Sequence, residues 1–277
     1  MSYAAFILST GRCGTQWIAA ALSSLYPGCI AVEHEPLHDR YDARKTLGNF
    51  HLGKPLDSLS TEVLLHMKGI EERIATQPYL ECGHPNWSTI PYFAERFDSR
   101  IRIIHLTRHP VSTCCSWLTH LAFQKPLAPH LSEKVLLSPF DQGTKFQEYR
   151  EVWNELVPFE KCLFYWSEVQ AFALEQQSRL HVPWLRVRYE DLFKSEGFAA
   201  ILNFLNLPVN DRSLNFGSQR VDKFQYVSQV WQDWRVIHHH PRALSIAETL
   251  GYDVNEVDDE QLARRYLLGR QEPFKLD

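Results

Sequence analysis

The segment that most constrains this chain is Phe6-Ile7-Leu8-Ser9-Thr10-Gly11-Arg12-Cys13-Gly14-Thr15-Gln16. A short run, apolar on both faces, passes into two glycines that flank an arginine. A helical pattern then begins at about Trp17, with Trp17, Ile18, Ala21, Leu22 and Leu25 on one face. Glycine admits backbone angles closed to other residues and lets an anion approach the chain. A helix start leaves N–H donors unsatisfied and carries partial positive charge. Together these features read as an anion cradle, to which Arg12 adds a charge-assisted clamp and Thr15 a hydroxyl donor. The spacing is not that of the ATPase phosphate loop: Gly11 to Gly14 is two residues too short, and no Lys follows Gly14. The bland reading is a glycine-containing turn with a surface arginine.

The strand-then-helix grammar recurs. Ala4–Leu8, Ile30–Val32, Tyr79–Cys82, Ile101–Leu106 and Trp184–Val187 read as short buried strands, and helical patterns lie between them, including Phe198, Ile201, Leu202 and Leu205. Strands apolar on both faces suit a parallel sheet covered by helices. The expected architecture is α/β and three-layered, with a central, mostly parallel sheet of about five strands. We read residues 1–277 as one domain. Two stretches fit the alternation poorly: 38–75, around a helix near Thr61–Ile74, and 119–150, with Pro126, Pro129, Pro139 and Gly143. Both are read as insertions that shape a substrate pocket or lid.

A second motif follows the fourth strand. Ile101–Leu106 ends in Thr107-Arg108-His109-Pro110, and a helix with Ser112, Ser116 and Trp117 begins at Val111. Open α/β sheets bind ligands beyond the carboxyl ends of their strands. Arg12 and Arg108 are therefore expected on one edge, as two anion sites for a nucleoside with phosphates at both ends.

These residues resemble the signature of sulfotransferases that use 3′-phosphoadenosine-5′-phosphosulfate (PAPS), whose fold is like that of the phosphate-loop nucleotide kinases. Arg12-Cys13-Gly14-Thr15-Gln16-Trp17 resembles the family's Arg/Lys-Ser-Gly-Thr-Thr-Trp/Leu, departing at Cys13 and Gln16. Arg108 to Ser116 resembles Arg-Asp/Asn-Pro-x-Asp-x-x-x-Ser, with His109 and Ser112 in place of the family's residues. Arg188-Tyr189-Glu190-Asp191-Leu192 resembles a late strand-and-turn segment, and the likeness runs from about residue 4 to 252. It implies that Arg12, Cys13, Gly14, Thr15, Gln16 and Trp17 hold the 5′-phosphosulfate. Arg108 and Ser116 would hold the 3′-phosphate, with Tyr189 beside the nucleotide. Arg220 and Lys223 are further candidates, for which a surface role is the better reading.

The implied reaction moves a sulfuryl group from PAPS to a hydroxyl, less readily to an amine, and leaves 3′,5′-adenosine bisphosphate. In-line displacement needs stabilisation of spread negative charge, a role for Arg12, and a general base. No metal is required by this reading. Carbohydrate and protein-tyrosine sulfotransferases place a glutamate after the second strand, which Glu35 of Val32-Glu33-His34-Glu35-Pro36-Leu37 matches, with Glu33 close by. Cytosolic sulfotransferases carry a catalytic histidine in a loop comparable to Cys82-Gly83-His84-Pro85. Glu35, His84 and Glu33 all stand as candidates.

Composition sets limits on partners. With 29 Lys and Arg against 33 Asp and Glu, the net charge is −4, which argues against general nucleic-acid binding. No apolar run approaches the length of a membrane span. Met1–Leu8 lacks a basic leader, so no signal peptide is expected. Six cysteines without metal or redox spacing read as free thiols, hence a cytoplasmic protein. The expected partner is a small-molecule or carbohydrate acceptor, and a homodimer is left open. His238-His239-His240 lacks a partner ligand for a metal site. The run Phe159, Phe164, Tyr165, Trp166 and Phe172 reads as core or lid packing. Cys13, Gln16, His109 and Ser112 motivate an alternative, an inactive nucleotide-binding regulatory protein of this fold. An atypical small-molecule kinase is disfavoured by the absent lysine.

Overall fold

The structure, a computed structural model, describes residues 2–125, 132–214, 216 and 233–266. Arg220 and Lys223 lie outside the described residues.

In chain order the elements are β1 (Ala4–Leu8), α1 (Thr15–Leu25), β2 (Ala31–His34), α2 (Ala43–His51), α3 (Thr61–Ile74), β3 (Tyr79–Cys82), α4 (Ile90–Phe97), β4 (Ile101–Thr107) and α5 (Pro110–Leu118). There follow α6 (Tyr149–Val152), α7 (Pro158–Arg179), β5 (Trp184–Arg188), α8 (Tyr189–Leu192), α9 (Ser195–Phe204), α10 (Asp211–Leu214), α11 (Pro241–Thr249) and α12 (Asp259–Tyr266). The five strands form one parallel sheet in the order β2-β3-β1-β4-β5. This is the helix-covered parallel α/β sheet of five strands expected above.

Two compact units divide the chain. The first comprises Met1–Arg108, Phe140–Lys145 and Glu168–Asp222, and the second comprises His109–Pro139, Phe146–Ser167 and Lys223–Asp277. The whole sheet lies in the first unit. Ala5, Ile7, Leu80, Cys82, Ile104 and Leu106 point from one face into a core with Ile18 and Leu22 of α1, Ile201 and Leu202 of α9, and Leu205 just after it. On the other face Phe6 stacks on Phe93 of α4, with ring centroids 3.9 Å apart. Burial on both sides explains why these strands are apolar without alternation. Each large side chain so buried contributes roughly 1.5–3 kcal/mol.

Residues 38–75 build a tight turn at His38–Tyr41, then α2 and α3. The Ser60 hydroxyl accepts from the Val63 N–H at 3.3 Å and caps α3, whose buried face is Val63, Met67, Ile70 and Ile74. Because the strands are parallel, all five carboxyl ends reach one edge, and the loops after them start at residues 9, 35, 83, 108 and 189.

The second unit is helical. Tyr149 and Trp153 pack on Phe164, and Trp117 lies edge-on to Tyr165. His240 of the histidine run is buried, its Nδ1 2.9 Å from the Tyr149 hydroxyl and its Nε2 3.0 Å from Glu160. Phe159, Phe164, Tyr165 and Trp166 are core residues of this unit, and Phe172 is buried in the first unit. Among the described residues no helix is long and apolar enough to cross a membrane, and all six cysteines are free thiols.

Candidate active site

The loop between β1 and α1 is held in a conformation that only its sequence permits. Gly11, Arg12 and Gly14 have φ of 74°, 60° and 86°. Gly14 caps α1 in the left-handed region, and a Cβ there would meet Leu192 Cδ2 at 3.0 Å and Tyr189 Cε2 at 3.2 Å. Both backbone angle and packing therefore require glycine at this point. The Ser9 hydroxyl accepts from the Gly11 N–H at 3.1 Å.

Cys13 turns inward. Its thiol donates to the Gly11 carbonyl at 3.0 Å, and burial pushes its pKa up to about 11. Its side chain braces the loop. Trp17 is likewise a core residue, wedged against Phe193 and Phe198 with centroids 5.1 Å away in each case. Gln16 is exposed in the first turn of α1, and Thr15 Oγ1 lies 3.3 Å from His34 Nε2.

Arg108 supports this loop from β4. Its buried guanidinium donates from Nη1 to the Arg12 carbonyl at 2.6 Å and stacks over the Tyr189 ring, 4.3 Å from its centroid. Thus Arg12, Arg108 and Tyr189 meet in the first unit, though they are far apart in sequence. Ser116 is buried on α5 in the second unit, where its carbonyl accepts from the Thr119 hydroxyl at 2.7 Å. His109 caps the N-terminus of α5 by position, with Nε2 3.1 Å from the Asp253 carbonyl and its ring edge-on to Tyr252. That contact gives a structural use for a residue that departs from the family motif.

The candidate bases separate clearly. Glu33 is bound by Arg73 and accepts from the Tyr79 hydroxyl at 2.8 Å. It serves as a strut between β2, β3 and α3. Glu35 and His84 instead form one pair, with His84 Nδ1 2.8 Å from Glu35 Oε1. Glu35 sits at φ 47°, and its N–H donates to the Cys82 carbonyl at 3.0 Å, docking the turn on β3. Gly83 makes the approach possible, since a Cβ there would lie 2.9 Å from Glu35 Cγ. Burial raises the Glu35 pKa. The hydrogen bond from His84 and the charges of His84 and His34 outweigh burial, and the carboxyl is held down at about 2.

His34 and Gly83 escaped the sequence reading. The alternation Glu33-His34-Glu35 was the available signal for His34, because strand periodicity turns His34 to the α1 face. Nothing local marks Gly83.

A sequence model of the sulfotransferase domain matches residues 3–230. The chain belongs to the sulfotransferase domain family. Solved structures agree on the fold. The sulfotransferase domain from the curacin biosynthetic pathway aligns at TM-score 0.52 and 16% identity, covering 92% of this chain and 99% of that one. The sulfotransferase domain of a Synechococcus olefin synthase aligns at 0.50 and 17%, covering 91% and 96%. A sulfotransferase from Alicyclobacillus acidocaldarius aligns at 0.50 and 12%, covering 91% and 97%. No curated protein sequence matches the chain.

Proposed function

We propose that this sulfotransferase-family protein transfers a sulfuryl group from PAPS to a hydroxyl of a small-molecule or carbohydrate acceptor, with His84 as general base oriented by Glu35. The observation that carries this reading is the hydrogen-bonded Glu35–His84 pair on the same sheet edge as the Gly11–Gly14 loop.

The residues present fit an activated phosphosulfate. Left-handed angles at Gly11, Arg12 and Gly14 turn the loop backbone at the start of α1, where N–H donors and partial positive charge collect. PAPS supplies a sulfuryl group whose bond to the bridging oxygen breaks as the acceptor oxygen bonds to sulfur. Arg12 and the α1 N–H groups stabilise the negative charge left on that bridging oxygen. Arg108 keeps the loop in shape by binding the Arg12 carbonyl.

The Glu35 carboxylate is already engaged by His84 Nδ1, whereas the imidazole has a second ring nitrogen with which to take a proton. Glu35 therefore fixes the ring through Nδ1, and His84 takes the acceptor's proton at Nε2. Of the three candidates that the sequence offers, this reading takes His84 as the base and Glu35 as its orienter. The six free thiols fit a reducing, cytoplasmic setting.

A thermal-shift series with 3′,5′-adenosine bisphosphate and with ATP–Mg, followed by a transfer assay from PAPS to a panel of hydroxyl acceptors, tests the reading. Stabilisation by the bisphosphate alone, with sulfated product, supports it. No stabilisation by the bisphosphate refutes it. Stabilisation without transfer to any acceptor selects a nucleotide-binding regulator instead.

A further inference from the structure

Glu81 of β3 is wholly buried, and its carboxylate gathers side chains from four separate segments. Oε1 accepts from the Tyr41 hydroxyl and from Asn86 Nδ2 at 2.9 Å. Oε2 lies 2.8 Å from His66 Nε2 of α3 and 3.2 Å from the Tyr79 hydroxyl, whose shorter contact is with Glu33. A buried carboxylate is costly unless its oxygens are hydrogen-bonded, and here both have partners. Tyr41 and Tyr79 keep their protons for these bonds: burial, with the charge of Glu81 added, drives both phenols well above their ordinary range.

The two donors on Oε1 come from the two loops that carry the proposed dyad. Tyr41 ends the tight turn His38–Tyr41, which Glu35 enters by accepting the His38 N–H at 3.1 Å. Asn86 closes the loop after β3, where the Trp87 N–H donates to the His84 carbonyl at 3.2 Å. One oxygen atom is thus the common reference for the backbone on both sides of the Glu35–His84 contact. On the β1 side the register partners of Glu81, Phe6 and then Ile103 beyond it, are apolar, while on the β2 side its partner is Glu33, which Arg73 binds.

We infer that Glu81 is a positioning residue for the reaction, setting the Glu35–His84 geometry through Tyr41 and Asn86. The inference rests on the sulfotransferase reading above for its kinetic consequence, but its structural content stands apart from activity. Misplacement of a reacting group by about 1 Å costs on the order of 100-fold in rate. Removal of either tie is expected to lower kcat by about 10- to 100-fold while the KM for PAPS stays near the wild-type value.

The test uses the full chain and the variants Tyr41→Phe, Asn86→Ala and Glu81→Gln. Tyr41→Phe removes one oxygen, and Glu81→Gln keeps an amide oxygen for Tyr41 and Asn86 while its NH2 faces His66. Nitrogen-15 NMR of labelled histidine, at a pH where the ring is neutral, reads the His84 tautomer. Wild type and Glu81→Gln are expected to hold the Nδ1–H tautomer that Glu35 selects, and Tyr41→Phe and Asn86→Ala to lose that preference and the rate together. Unchanged tautomer and unchanged kcat in both tie-removing variants would overturn the inference, as would a wild-type ring without the Nδ1–H preference. Loss of the tautomer in the variants, with no transfer by any form, supports the positioning role and defeats the sulfotransferase reading instead.

Discussion

Arg108 reaches across from the end of β4 to donate to the backbone carbonyl of Arg12 at 2.6 Å. The bond links the second sequence motif to the first, and the guanidinium plane rests on Tyr189. Lysine cannot reproduce a planar donor that is stacked and directed at the same time. Arg108→Lys is expected to weaken binding of 3′,5′-adenosine bisphosphate by about 10- to 100-fold, the worth of a charge-assisted hydrogen bond with its stacking. Titration calorimetry measures it, and an unchanged Kd contradicts the clamp.

Removal of the base and of its orienter should differ in size. His84→Ala deletes the proton acceptor and is expected to reduce kcat by about 100- to 10,000-fold, with nucleotide affinity retained. Glu35→Gln leaves an oxygen for Nδ1–H and is expected to cost less. If Glu35→Gln is the more damaging change at saturating substrates, the carboxylate is the base.

Stability should carry the signature of Glu35. Its pKa falls on folding from an ordinary 4.5 to about 2, so its contribution is complete above the ordinary value and disappears as pH falls through the folded one. Urea unfolding of wild type and Glu35→Gln is expected to show a gap that closes as pH falls from about 4.5 to about 2. A gap independent of pH across that window rules this out.

Gly14→Ala puts a side chain at φ 86° and within 3.0 Å of Leu192. The strain is expected to cost about 1–3 kcal/mol of stability and to distort the anion loop. Calorimetric melting with and without the bisphosphate separates the two effects. A variant as stable as wild type and equally stabilised by ligand would show that the loop tolerates other angles.

Much of the scaffold was legible in the chain. The run at 4–8 became a strand because a segment hydrophobic on both faces has few other places to go, and 79–82 and 184–187 followed it with one charged residue each, Glu81 and Arg186. The helix near Thr61–Ile74 was readable from its spacing and from Ser60 before it. Cys13 and Trp17 show the limit of motif reading: both lie in the anion-loop segment, yet both side chains belong to the core.

The sequence by itself determined the α/β alternation, the glycine-bounded loop and the set of groups able to act as a base. Those are local properties, written in periodicity and in residues with special backbone freedom. Only the tertiary structure decided which of these groups pair with one another. Glu33 and Glu35 are two residues apart and share a face in any regular strand, but the left-handed turn at Glu35 ends the strand and redirects its carboxylate. Glu33 then meets Arg73 and Tyr79, while Glu35 meets a histidine 49 positions away. That pairing comes from the parallel register of β2 on β3, a long-range contact that no local pattern in either loop encodes.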